Sequence, residues 1–233
     1  MALAALEQRV MDPEPLFELL TAYRGDGAFN QYRDVHPLLD RPDGAAARCR
    51  NLRCYLETFA DARFVLVGEA AGYAGCRFSG IPFTCEAQLV GPERLGWALG
   101  LDGHLARSST AEALWVERSA RIVWDTLGKR MDCVLWNAFP WHPYGKTDLL
   151  SNRPPGRDLH DGLDALRCFL SLFPAARSFA VGRVAQRALA AIDVQAPYIR
   201  HPSHGGKRRF VEGVEALNSQ GASPRMSDTR SRI

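Results

Sequence analysis

Three short stretches of this 233-residue chain gather side chains that can bind, polarise or exchange protons with a polar ligand. The first runs Gly68-Glu69-Ala70-Ala71-Gly72-Tyr73 and continues to Ile81-Pro82-Phe83, so one carboxylate sits among small residues and an aromatic ring closes the stretch. The second, Trp136-Asn137-Ala138-Phe139, carries an amide. The third, His201-Pro202-Ser203-His204-Gly205-Gly206-Lys207-Arg208-Arg209, combines two imidazoles and a hydroxyl with a run of cations. Those cations fall at the start of a predicted helix, where the macrodipole alone disfavours positive charge. An anion such as phosphate resolves the conflict, and Gly205-Gly206 lets the backbone approach it closely. Each feature also has a bland explanation: Asn137 as a strand-end cap, His201 as a solvated loop residue, Phe83 as core, the basic run as a solvated turn. His36 before Pro37 and His142 after Trp141 lack the companion spacing of a zinc site, so no metal is expected.

The elements that must position these residues follow from hydrophobic periodicity. Buried strands are predicted at 63–68 (RFVLVG), 132–138 (DCVLWNA), 178–182 (SFAVG) and 196–200 (APYIR). Between them, residues 110–130 place Ala111, Leu114, Ile122, Val123 and Leu127 on one stripe, with Glu112, Glu117 and Arg121 on the wet side of an amphipathic helix. Residues 158–173, 183–192 and 206–217 read as further helices. Pro13 and Pro15 divide residues 1–22 into two short helical pieces. The alternation predicts a single three-layer α/β/α domain around a mainly parallel four-stranded sheet. Its parts are an N-terminal helical portion over 1–60, a core over 61–217 and a disordered polar tail over 218–233. Ligands in such sheets bind beyond the carboxyl ends of the strands, which is where all three stretches fall.

Composition narrows the setting. A net charge of +3 permits a polyanionic partner without requiring one. Residues 1–10 lack the continuous apolar run of a signal peptide, and nothing approaches the roughly 20 apolar residues that span a membrane. Six cysteines occur with no C-x-x-C pair, which argues against a disulfide framework and for a reducing, cytoplasmic location.

In this order, the three exits resemble the motifs of the uracil-DNA glycosylase superfamily: a G-E-A-x-G loop, an apolar residue then Asn at a strand end, and a late H-P-S loop. The resemblance spans roughly residues 63–210. It implies a monofunctional hydrolase of base-excision repair that takes uracil from single- or double-stranded DNA, releases free uracil and leaves an abasic site. Cleavage produces an oxocarbenium-like sugar and a uracil anion, so the site must stabilise negative charge on a pyrimidine lifted out of the stack. Asn137 is then expected to pair with uracil O4 and N3-H, a pattern cytosine cannot match. His201 is expected to donate to O2, and Phe83 to stack on the base, a contact worth roughly 1–3 kcal/mol. Glu69 is the candidate for orienting the attacking water, with Ala70 and Tyr73 against the base. Ser203, His204, Gly205, Lys207 and Arg209 are expected on the DNA.

The chain departs from the family pattern at three places. Ala70 stands where the better-known branch has Asp, Ala71 replaces a proline, and Gly72 occupies the place of a bulky Tyr that excludes the thymine methyl, leaving Tyr73 as a neighbour able to swing in. Some branches hold an iron-sulfur cluster on four cysteines; here Cys133 and Cys168 read as core and Cys49, Cys54, Cys76 and Cys85 lack the spacing, so no cofactor is expected. A monomer working alone on DNA is the simplest assembly. Two alternatives differ from turnover: a superfamily member that traps uracil-DNA, which would want an extra nucleophilic His absent between Glu69 and Gly103, and a nucleotide-binding module, which would want its Gly-rich turn to lead straight into a helix.

Overall fold

β-Branched and aromatic runs bounded by turn residues make the sheet. The computed structural model describes residues 11–91, 103–128, 130–145 and 152–220. Strands β2 (Phe64–Ala70), β3 (Cys133–Phe139), β5 (Arg177–Val181) and β6 (Tyr198–Ile199) form one parallel sheet in the order β3-β2-β5-β6. A separate antiparallel pair joins β1 (Ala28–Phe29) to β4 (His142–Pro143). The helices are α1 (Glu14–Ala22), α2 (Gly44–Thr58), α3 (Cys76–Ser79), α4 (Glu86–Val90), α5 (Arg118–Leu127), α6 (Leu163–Leu172), α7 (Arg183–Ala190) and α8 (Lys207–Gln220). This is the expected α/β/α arrangement with a four-stranded parallel sheet.

Every residue of β3 is buried, as a strand covered on both faces requires. Trp136 stacks on Phe169 of α6 with ring centroids 4.2 Å apart. On the other side, Tyr55 and Phe59 pack on each other and Phe59 on Trp124, tying α2 to α5. β3 lies at the sheet edge, and its outward Leu135 N–H donates to the Tyr55 hydroxyl at 2.7 Å. That bond satisfies a backbone donor that would otherwise be orphaned.

Several boundaries differ from the expectation. The helix expected over 110–130 is confined to Arg118–Leu127, because the segment before it is extended: Trp115 stacks on Phe78 at 4.8 Å and its carbonyl accepts from Ala87 N–H. The helix expected over 158–173 begins as a 3-10 turn, Gly156–Gly162, before α6. The fourth strand is only two residues long. Helix α8 continues to Gln220, three residues into the expected tail, and the rest of that tail lies outside the described residues. Pro13 does open α1, while the earlier helical piece over 1–10 lies outside the described residues. Cys168 is half-buried rather than core, Cys133 is fully buried, and all six cysteines are free thiols. Among the described residues no helix is long and apolar enough to cross a membrane, and no group of three or more His, Cys, Asp or Glu gathers to hold a metal ion.

A buried ionic cluster anchors the first loop. Asp40 receives Arg77 Nη1 at 2.6 Å and Arg48 Nη2 at 3.2 Å, all three side chains being fully enclosed. Burial alone would raise the Asp40 carboxyl, and the bonds from Arg77 with the charges of both arginines outweigh it, holding the group below its usual range. Arg77 also lies 4.2 Å from the ring centroids of Phe29 and Phe78, so α3 is fixed to the N-terminal part of the chain.

Candidate active site

Parallel pairing brings the exits together. In the β2–β3 register Gly68 sits opposite Asn137, and Ala70 opposite Phe139. A side-chain carbon on Gly68 would overlap the Phe83 ring and lie 3.2 Å from Asn137 Oδ1, so the glycine is what lets those two groups close on one point. Phe83 adopts φ 52, a left-handed conformation rare for a bulky residue, and His204 has φ 49. Such strain persists where the surroundings over-determine it and clusters at functional sites.

The Phe83 and His201 rings face each other with centroids 5.8 Å apart. Gly182, at the end of β5, supports this: its φ of 98 suits glycine, and an added carbon there would lie 3.3 Å from His201 Cβ. Phe83, Asn137 and His201, on three separate exits, therefore surround Gly68 and Gly182 at the carboxyl rim.

Asn137 is 3% exposed, yet its amide has no hydrogen-bond partner among the described residues. Its Oδ1 and the Phe83 ring both lie against Gly68.

His201 is held in one tautomer. The Ser203 backbone N–H donates to its Nδ1 at 3.2 Å, and the Ser203 hydroxyl lies 2.7 Å from the same nitrogen. A backbone N–H can only donate, so Nδ1 accepts and the ring proton resides on Nε2. Burial, with the nearby charges of Arg200 and His204, pushes the imidazole down to about 4. At neutral pH it is a neutral N–H donor.

Glu69 follows Gly68 and is half-buried. Burial raises its carboxyl, and the positive fields of Arg187 and His204 partly oppose the rise. Ala70 ends β2 and is half-buried. Tyr73 takes a different position from the three central side chains: its N–H donates to Asn152 Oδ1 at 2.8 Å and its ring meets Trp115 edge-on at 6.1 Å. Ser203, expected on DNA, turns both its N–H and its hydroxyl to His201, and its hydroxyl also lies 3.0 Å from His204 Nδ1. His204, Gly205, Lys207 and Arg209 are exposed along the loop and the start of α8, where they leave a basic surface beside His201.

Other residues at the site escaped the sequence. His142 Nδ1 bonds the Ala71 carbonyl at 2.8 Å and its backbone N–H donates to Gln31 Oε1, pinning the first loop. Glu117, expected on the wet face of a helix, is instead the N-cap of α5, half-buried against that loop. Arg187 and Gly182 had one legible signal, a glycine at a strand-to-helix exit; Glu117 had none.

Residues 57–229 match the family model described as "Uracil DNA glycosylase superfamily". Among solved structures, the chain is similar to wild-type SMUG2 of Pedobacter heparinus, with 12% identity, a TM-score of 0.57 and coverage of 88% of this chain and 97% of that one. At that identity the likeness speaks for the fold alone. A search of curated proteins gives no match. The family match embraces β2 through α8 and so every exit that meets at Gly68: this chain belongs to the uracil-DNA glycosylase superfamily.

Proposed function

We propose that the protein is a monofunctional uracil-DNA glycosylase that acts as a monomer on single- or double-stranded DNA, hydrolysing the N-glycosidic bond and releasing uracil. The observation that carries this is the convergence on one rim of Phe83, the Asn137 amide, which makes no hydrogen bond among the described residues, and the His201 ring, whose proton is on Nε2. A uracil stacked on Phe83 offers O4 and N3-H to that amide and O2 to His201. As the N1–C1′ bond breaks, its electron pair moves into the uracil ring, and the two side chains hydrogen-bond the growing negative charge. The sugar is left oxocarbenium-like and is captured by water, whose proton Glu69 can accept. Such a dissociative transition state depends more on leaving-group stabilisation than on nucleophile strength. Lys207, Arg209 and the backbone near Gly205 then hold the flanking phosphates, with His204 entering the vacated stack.

The test is an oligonucleotide assay in which labelled strands containing uracil are incubated with protein and abasic sites are cleaved with alkali. Product from uracil strands under excess substrate, lost on combining Asn137→Ala with His201→Ala, is the expected result. One equivalent of product per protein with no further release would favour a trapping protein over an enzyme.

A further inference from the structure

The loop between β2 and Phe83 contains two glycines that abut the same side chain. A carbon on Gly72 would overlap Glu117 Oε1, and one on Gly75 would overlap Glu117 Oε2. The carboxyl group thus fills the side-chain space of both positions from a distant part of the sequence. It reaches there because Glu117 caps α5 in an extended conformation, φ −117 and ψ 125.

The path of the loop relates this carboxyl to the pocket. Ala70 pairs with Phe139, two residues past Asn137, and the Ala71 carbonyl is fixed to His142 on β4. The loop therefore leaves β2 along the β3 side, beyond Asn137. A pyrimidine that gives O4 and N3-H to Asn137 and O2 to His201 turns its next ring atom after C4, which is C5, toward that same side. Tyr73, the other side chain able to close the gap, is held by Trp115. We propose that Glu117 closes the C5 side of the base pocket and sets which 5-substituents enter, rejecting the methyl group of thymine.

Energetics fit a functional reason for the placement. Glu117 has no cation at ion-pair distance among the described residues, and burial pushes its carboxyl up to about 7, with only the Ser119 hydroxyl opposing. A carboxyl in that state weakens the fold, and perturbed groups of this kind concentrate at working sites. A 5-methyl group meets two penalties, overlap with the carboxyl and loss of its remaining hydration.

This assignment rests on the glycosylase reading and can be separated from it. Glu117→Ser is the informative variant, because serine is a preferred N-cap and keeps the start of α5 while emptying the space. The measured quantity is kcat/KM for thymine opposite guanine divided by that for uracil in the same context, a ratio in which the amount of folded protein cancels. Glu117→Ser is expected to raise the ratio about 10-fold or more, the scale for one methyl group in a fitted pocket. The near-isosteric Glu117→Gln is expected to keep the exclusion. A ratio that moves less than about twofold in Glu117→Ser, or wild-type protein that removes thymine as fast as uracil, overturns the assignment and leaves the glycosylase reading intact. Wild-type protein that releases no uracil overturns both.

Discussion

The backbone N–H of Ser203 donates to Nδ1 of His201 at 3.2 Å, which leaves the imidazole proton on Nε2. Two residues of one loop thereby decide the chemical identity of the donor that faces Phe83.

Removing the Ser203 hydroxyl tests that arrangement. Ser203→Ala keeps the backbone bond and loses the 2.7 Å contact, so uracil excision should fall up to about 10-fold, the rate equivalent of one net hydrogen bond. Nitrogen NMR on His201 should show a mixture of tautomers in the variant and a single one in the wild type. The imidazole sits at about 4 against an ordinary 6.5. Because the folded value is depressed, the folded state stays neutral while the unfolded state takes a proton as pH falls below about 6.5. The stability this group contributes is therefore present above 6.5 and lost as pH drops to about 4. An NMR titration of His201 with a midpoint near 6.5 would contradict the arrangement.

Asn137→Asp replaces the amide donor with a carboxylate in an enclosed site. The charge would repel the uracil anion, so kcat for uracil should drop about 100-fold or more, the scale of losing one oxyanion donor. Single-turnover rates on uracil strands measure this, with circular dichroism to confirm folding.

Gly182→Ala asks a residue with a side chain to adopt φ 98 while placing a carbon 3.3 Å from His201 Cβ. A loss of about 1–3 kcal/mol in unfolding free energy is expected, because φ 98 with ψ 165 lies in a region open essentially to glycine alone, together with slower excision as His201 shifts. Urea titration gives the first and a glycosylase assay the second.

Asp40→Ala would leave Arg48 and Arg77 enclosed without their shared carboxylate. Breaking a buried pair by removing one partner costs about 3–5 kcal/mol, so the urea midpoint should fall sharply. Because the Asp40 carboxyl lies below its usual range, its stabilisation is present at neutral pH and lost as pH falls through the folded value. The gap between wild type and variant should shrink in acid.

Glu117→Gln should act in the opposite sense. With the carboxyl raised to about 7 from an ordinary 4.5, the folded state keeps a proton that the unfolded state releases, and wild-type stability falls as pH rises across that window. The variant lacks this loss, so its Tm should exceed that of wild type at pH 8 by a few degrees, about what 1 kcal/mol gives in a domain of this size. The difference should vanish near pH 4.5. Calorimetry at both pH values reads it directly.

Much of the fold was legible because its signals are local. The apolar runs at 63–68 and 132–138 match strands β2 and β3 to within a residue or two, with Gly68 and Asn137 at or next to their ends, and His201 directly follows the run at 196–200. The helix expected over 110–130 was overextended because residues 111–117 keep a helical spacing of apolar groups while their real partners, Phe78 for Trp115 and Gly72 for Glu117, are distant in the chain. Periodicity records which residues are apolar and not which neighbours they will meet.

By itself the sequence determined the alternation of strands and helices and the order of the three motifs, hence the parallel sheet and the rim at which Phe83, Asn137 and His201 meet. Only the tertiary structure decided that Ser203 serves His201, that Asp40 binds two buried arginines, and that Glu117 fills the space beside Gly72 and Gly75. The reason is physical: strand and helix patterns follow from the repeat of the backbone, whereas a side chain's charge and partner depend on what packing brings within a few ångströms of it.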